Sequence, residues 1–482
     1  MEHVDIAVVG ASVTALGYLK YIGDTEIPFT YVVLEGEGDV GGTWLKTRYP
    51  GIRSDSDAYT MCFGFKPYTG DSTFISGEDF QTYLREYAEE SGIHEQIRFH
   101  ARVLSCHWDS AGEVWTIRYR SGDHTDREVT ASHLINAAGY LSVTRMNDPH
   151  FDNESSFEGE IFHANLWPEG FDCSGRKVAV IGSGAAAVTL IPPVAETSEA
   201  LTLVQRSPGY ILAWPRRDPV DVLLSRALPL RWSNPLIRLK WQLTRHGFYY
   251  AARAVPRVIR ALLLFQVWVL LGSRRGELFS HFKPRYRPWD QRLCAAPDGD
   301  MFRALRMDTV SVQTGEVARI EPKGLTMQDG TFVECDVIIK ATGNEAAAGG
   351  GVPLYVDGEK VQISERLAFC GTMLERVPNY FMMGGIIFDT YTTRVEVYGE
   401  FIARLLAFMR SAGHRVVCPV PSTRPHRLIS MLGGLDSNYV KRSASRFPLI
   451  GDRFPWAKSE NHWVARRALR GLSFDHEDLR FE

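Results

Sequence analysis

Apolar runs bounded by small residues punctuate this chain, and twice they open into the same succession of strand, turn and helix. The first reads "DIAVVGASVTALGYLKYI" and then "FTYVVLEGE": an apolar strand, a glycine turn, a helix, and a second apolar strand ending in Glu35. The second reads "KVAVIGSGAAAVTLIPPV" and then "ALTLVQRS", whose last strand ends in Arg206. Apolar runs of strand length with flanking glycine, alternating with helical segments, predict βαβ units and a parallel sheet. Two further runs, "LINAAGYLS" (134–142) and "DVIIKATGN" (336–344), each end in a small-residue turn where the chain would cross between units. They read as paired hinges. No period of about 20 to 50 residues repeats.

The turns carry chemistry. Gly182, Gly184 and Ala187 complete a GxGxxA pattern, whereas the first turn has Gly10, Ser12 and Ala15 where three glycines are usual. Such turns offer backbone N–H groups and a helix N-terminus to a pyrophosphate, so the residues there must be small. Ser12 puts a Cβ on that path. Glu35 lies 25 residues after Gly10, where a carboxylate would meet an adenosine ribose. Arg206 suits a 2′-phosphate that a carboxylate would repel. The pair predicts FAD at the first turn and NADPH at the second, in an α/β fold of two dinucleotide-binding, Rossmann-like domains. The expected division is 1–140 and 344–482 for the FAD-binding domain, 145–212 and 292–343 for the NADPH-binding domain, and 213–291 for a helical insertion.

Composition narrows the function. At 482 residues, 45% hydrophobic and 23% charged, the chain is ordinary globular material of two to three domains. The apolar strand begins almost at once, with no basic leader, which predicts a cytoplasmic protein. Seven scattered cysteines form no CxxC, which predicts reduced thiols and disfavours disulfide reductase chemistry. No His, Cys or carboxylate set has metal-ligand spacing, so no metal is expected. A net charge of −3 gives no reason to expect nucleic acid, but 213–291 holds 15 Lys/Arg against 4 Asp/Glu, a local +11 that leaves −14 for the rest. The same segment contains "ALLLFQVWVLL" (261–271) between arginines. Eleven residues are too few for a bilayer, which needs about 20. A buried helix of the insertion is one reading; a helix that faces an apolar substrate or makes a peripheral membrane contact through 253–275 is the other.

"FEGEIFHANLW" (157–167) fits FxGxxxHxxxW through Phe157, Gly159, His163 and Trp167, the fingerprint of Baeyer–Villiger monooxygenases. "GGTWLKTRYPGIRSD" (41–55) resembles that family's second motif, and "YRPWDQRLCAAPDGDMFRAL" (286–305) its stretch with the catalytic arginine. The chain resembles this family over nearly its whole length, most of all its ethionamide-activating branch. The resemblance implies an NADPH- and O₂-dependent FAD monooxygenase that inserts oxygen next to a ketone carbonyl, giving an ester or lactone through a C4a-peroxyflavin, with sulfoxidation as a side activity. It makes Arg292 catalytic and Asp55 the carboxylate that positions it, as a bidentate pair. Gly42, Thr43, Trp44 and Asp55 would lie near the flavin, Ser207 would join Arg206 at the 2′-phosphate, and Gln291 stands where many relatives have a lysine for that phosphate. His163 would act in the hinge and not on substrate.

Two rivals remain: an N- or S-oxygenating enzyme on the same frame, and a redox-inactive nucleotide-binding relative. The partners expected are O₂ and a small hydrophobic ketone, sulfide or amine.

Overall fold

The computed structural model describes residues 2–384, 389–433, 438–459 and 461–482. Two sheets organise the chain. The larger has nine strands in the order Glu359–Lys360, Leu354–Val356, Arg102–Asp109, Val114–Arg120, Asp126–Asn136, His3–Val9, Tyr31–Leu34 and Ile97–Arg98, with Tyr380–Met382 added beside the end of Asp126–Asn136. Its parallel part bears the first glycine turn. The helix that follows, α1 (Val13–Gly23), is buried along most of its length between this sheet and later helices.

The smaller sheet has five parallel strands in the order Val310–Thr314, Ala200–Gln205, Lys177–Ile181, Val337–Lys340 and Glu160–His163. Strands covered on both faces must be apolar throughout, which is why Val178, Ala179 and Val180 are all buried. The second glycine turn leads from Lys177–Ile181 into α2 (Ala185–Thr197).

Between the parallel strand pair Ile211–Trp214 and Cys294–Pro297 the chain runs out into helices, chiefly α3 (Leu230–Ala254) and α4 (Pro256–Leu270). It then returns to the larger sheet and ends with α5 (Tyr391–Ala412), packed on α1, and α6 (His462–Gly471), capped by Asn461. The insertion's excess of positive charge has a structural use. Arg238 on α3 donates to Glu396 on α5 at 2.9 and 3.0 Å and to the carbonyls of Tyr59 and Cys62, while Arg245 donates to Asp57 at 2.6 Å.

The apolar run on α4 is only half a buried helix. Ile259, Leu263 and Val267 face inward, but Val258, Leu262, Phe265 and Val269 are exposed, Phe265 to 63%. On α3, Trp232, Leu236, Leu239, Leu243 and Tyr250 are exposed too. In each helix the exposed set follows the spacing of a single face. No single helix among the described residues is long and apolar enough to cross a membrane.

Candidate functional site

At the first turn Gly10, with φ +90°, donates its N–H to the Leu34 carbonyl at 2.8 Å, joining the turn to the neighbouring strand. The Ser12 hydroxyl points inward. It donates to the Ala137 carbonyl at 2.7 Å and accepts from Thr14 N at 3.2 Å, so it caps α1. Ala15 is buried in that helix. Glu35, 6% exposed, accepts from Ala11 N at 2.7 Å on one oxygen and from Glu37 N at 2.9 Å on the other. Each oxygen keeps a lone pair for a ribose hydroxyl.

The motif beginning at Gly41 sits against this turn: Gly41 donates to the Ala11 carbonyl at 3.0 Å, and Gly42 precedes the one-turn helix Thr43–Lys46. Trp44 in that helix packs edge-on against Phe80, with ring centroids 5.3 Å apart.

The second turn is built by close approach. A Cβ on Gly182, whose φ is +145°, would lie 2.2 Å from the Ala341 carbonyl oxygen, inside contact distance. Gly184 caps α2 without any side-chain bond and has open space around it. Ala187 is fully buried behind it. Arg206 and Ser207 are exposed at the end of the next strand, and the Ser207 carbonyl accepts from the Ser183 hydroxyl at 2.7 Å. A clear helix N-terminus with a nearby guanidinium fits a phosphorylated dinucleotide.

Between the turns runs the 47–55 segment. Gly51 rests on α2, where a Cβ would come within 2.3 Å of the Thr189 carbonyl oxygen. Pro193, inside the helix, has no N–H to offer that carbonyl, so the segment can seat there. Tyr49 and Thr189 share a hydrogen bond at 3.3 Å. Arg53 is paired with Asp300 at 3.1 Å in a mostly buried ion pair. These contacts hold Asp55 in place. Burial pushes the Asp55 carboxyl up to about 6, against the opposing pull of Arg292 and Arg53 and a hydrogen bond from the Ala295 backbone. Arg292 is exposed and Gln291, beside it in the chain, half-buried. The structure differs here from the bidentate pairing that the resemblance implies: Asp55 Oδ1 is shut off from solvent and has no hydrogen-bond partner, so the two oxygens do not both engage a guanidinium. Arg53 and Asp300 escaped the sequence reading, although Arg53 stands two residues from Asp55 in the same motif.

The fingerprint segment is a joint. Gly159 lets Glu160–His163 lie against the sheet, since a Cβ there would sit 2.1 Å from the Asp336 carbonyl oxygen. Phe157 packs under the strand, and Trp167 forms an edge-on cluster with Phe162 and Phe171. His163 is 4% exposed; its Nδ1 accepts from Asn165 N at 3.2 Å and its Nε2–H donates to the Gly343 carbonyl at 3.2 Å. Burial, the largest influence, holds the ring below its ordinary range, so it serves as a neutral bridge. Asn165 adds a bond to Asn344 at 2.6 Å, and the two crossovers pair directly as antiparallel strands, Leu141–Met146 with Asn344–Ala346. A cleft of about 550 Å³ opens beside this joint, lined among others by Leu45, Arg48, Arg102, Asn165 and Leu166.

Long-range folding also assembles a set that sequence spacing could not offer. His246, Asp389 and His462 bring one ligand atom each within 4.8 Å of one another.

Residues 3–241 match the family model described as FMO-like, flavin-binding monooxygenase-like. The chain is 33% identical to the probable FAD-binding monooxygenase AlmA of Acinetobacter baylyi, over all of this chain and 96% of that protein. It is 35% identical to the FAD-containing monooxygenase EthA of Mycolicibacterium smegmatis, over all of this chain and 97% of that one. Solved structures of similar fold include a cyclohexanone monooxygenase from Rhodococcus sp. Phi1 bound to NADP⁺, with TM-score 0.78 and 20% identity over 100% of this chain and 99% of that one. An oxidised steroid monooxygenase bound to NADP also has TM-score 0.78 and 20% identity, over 99% of both chains. With two dinucleotide turns, one fold and this reach of similarity, the chain belongs to the flavin-binding monooxygenase-like family and is a flavin-dependent monooxygenase.

Proposed function

We propose that the protein is an NADPH- and O₂-dependent FAD monooxygenase of Baeyer–Villiger type that converts a hydrophobic ketone to an ester or lactone, with sulfides as secondary substrates. FAD would be held through Gly10, Ser12, Ala15, Glu35 and the Gly42–Trp44 corner, and NADPH through Gly182, Gly184, Ala187, Arg206, Ser207 and Gln291. When bound, FAD takes electrons from NADPH and activates O₂. The observation that carries the reading is the setting of Asp55, a half-buried residue whose Oδ1 is closed to solvent, held on the segment that joins the two turns and within electrostatic reach of Arg292. Arg53 is paired with Asp300 and also acts on Asp55, so the exposed guanidinium left for Asp55 to hold at the site is that of Arg292. A fixed guanidinium stabilises negative charge on the reacting oxygens and on the substrate carbonyl as it is attacked. His163 holds the joint and moves no proton in the reaction.

Arg292→Ala tests this. NADPH should still reduce the flavin at close to the wild-type rate, while ketone turnover falls by about 10²–10³-fold and the consumed NADPH appears as hydrogen peroxide. Ketone turnover at the wild-type rate would overturn the role of Arg292, and sulfide or amine oxidation that survives alone would favour heteroatom oxygenation.

The exposed apolar faces of α3 and α4, set among arginines, support a second part of the proposal, a peripheral contact with an anionic membrane from the cytoplasmic side through 253–275. Co-sedimentation with anionic vesicles should be lost in Leu262→Asp/Phe265→Asp. Equal sedimentation of both proteins would remove it.

A further inference from the structure

His246 lies on α3 in the insertion, Asp389 just ahead of α5, and His462 at the start of α6. The three are 6%, 4% and 2% exposed. Asp389 Oδ1 lies 3.4 Å from His246 Nε2 and 3.1 Å from His462 Nδ1. Each of these three atoms is closed to solvent and has no hydrogen-bond partner. Their neighbours on the same side chains are occupied. His246 Nδ1–H donates to the Gln242 carbonyl at 2.7 Å, which fixes the tautomer and leaves the Nε2 lone pair facing the cluster. Asp389 Oδ2 accepts from His462 N at 2.7 Å.

A buried polar atom without a partner is costly, because it has given up its water for nothing. Here three face one point. Around a tetrahedral zinc ion, with bonds of about 2.0–2.2 Å, ligand atoms stand about 3.3–3.5 Å apart, close to the two separations found. The bond from His246 to a backbone carbonyl is the orienting contact that metal-bound histidines regularly make. Arg245 donates through Nη2 to Asp57 at 2.6 Å and to Thr60 at 2.9 Å, and its charge also acts on Asp389 without a hydrogen bond to it. Trp463 closes one side, its ring 4.8 Å from His246 and 4.4 Å from His462.

We propose that His246, Asp389 and His462 bind one divalent transition-metal ion of the zinc class, which ties the insertion to the starts of the two C-terminal helices. Two imidazoles and one carboxylate oxygen form a borderline donor set that favours Zn²⁺ over the oxygen-seeking Mg²⁺ and Ca²⁺. The site performs no chemistry in the oxygenation. It fastens elements that the sequence separates by 143 and 73 residues.

The test is calorimetric titration of chelator-treated holoenzyme with Zn²⁺, paired with melting curves. The wild type should take up one equivalent and melt at a higher temperature with Zn²⁺ than without it. His246→Gln and His462→Gln should each weaken uptake by at least about 100-fold. Asp389→Asn, nearly isosteric, serves if either histidine variant fails to fold, and retained flavin reports folding. Co²⁺ should give tetrahedral d–d bands to the red of the flavin absorption, absent in His462→Gln. No stoichiometric uptake by the wild type, uptake unchanged in Asp389→Asn and His246→Gln, or Mg²⁺ binding as tight as Zn²⁺ would each overturn the site.

Discussion

The two glycine turns meet the same local demand, a strand that must pass into a helix within a few residues, in opposite ways. At the first, the Ser12 hydroxyl satisfies Thr14 N and ties itself to the Ala137 carbonyl, so the helix end is closed by its own chain. At the second, Gly184 offers no side chain and the space around it is clear. A helix start holds free N–H groups until something accepts from them. The first turn therefore has one of those N–H groups satisfied by its own chain, and the second leaves the corresponding place open. On the proposed assignment, the self-capped turn would take the FAD and the open one the NADPH.

The hardest blow to the comparison is Gly182→Ala. The added methyl meets the Ala341 carbonyl oxygen, and the backbone there is one that only glycine adopts at ease. The variant should melt at a clearly lower temperature and lose NADPH-driven flavin reduction, while keeping its yellow colour. Stopped-flow reduction close to the wild-type rate would mean that the second turn is less tightly built than it looks. Next in size, Arg206→Ala should lower kcat/KM for NADPH by about 10- to 100-fold, the worth of a charge-assisted bond, with NADH unaffected. An equal loss for both cofactors would place Arg206 elsewhere than at the 2′-phosphate.

A smaller effect should come from Asp55, on the segment that joins the two turns. Its carboxyl, raised to about 6 by burial, favours the neutral form in the folded protein. Its contribution to stability is therefore full below the unfolded value and lost as pH rises through about 6. Activity should move the other way. Ketone turnover should climb about tenfold per pH unit up to about 6, as Asp55 ionises and holds Arg292. Asp55→Asn should flatten both profiles at reduced turnover, and an unaltered pH limb would assign it to another group. Least of all, Ser12→Gly should cost about 1 kcal/mol or less in stability and change FAD affinity by less than tenfold. A large loss of FAD would show that the Ser12 hydroxyl, and not only the backbone of its turn, holds the cofactor.

Both turns could be seen in the chain because strand, glycine and helix follow one another within some 20 residues, and local order is what a sequence displays. Glu35 and Arg206 were visible for the same reason. The ion pair of Arg53 with Asp300 was not, because 247 residues separate its members and neither had a motif role of its own. The same holds for His246, Asp389 and His462. The face that α4 turns outward was hidden by uniformity: where nearly every position is apolar, spacing cannot tell inside from outside. The fingerprint histidine was legible only through its motif, and its tautomer had to come from Asn165 and Gly343.

The way the strands are shared out has a consequence for synthesis. All five strands of the smaller sheet come from residues 160–340, whereas the larger needs 3–136 together with 354–382. Domains fold as units while the chain is being made. A ribosome that has released residue 340 therefore carries one finished sheet and one still waiting, with Asp126–Asn136 lacking its neighbour Tyr380–Met382. The part of the protein that is begun first is completed last.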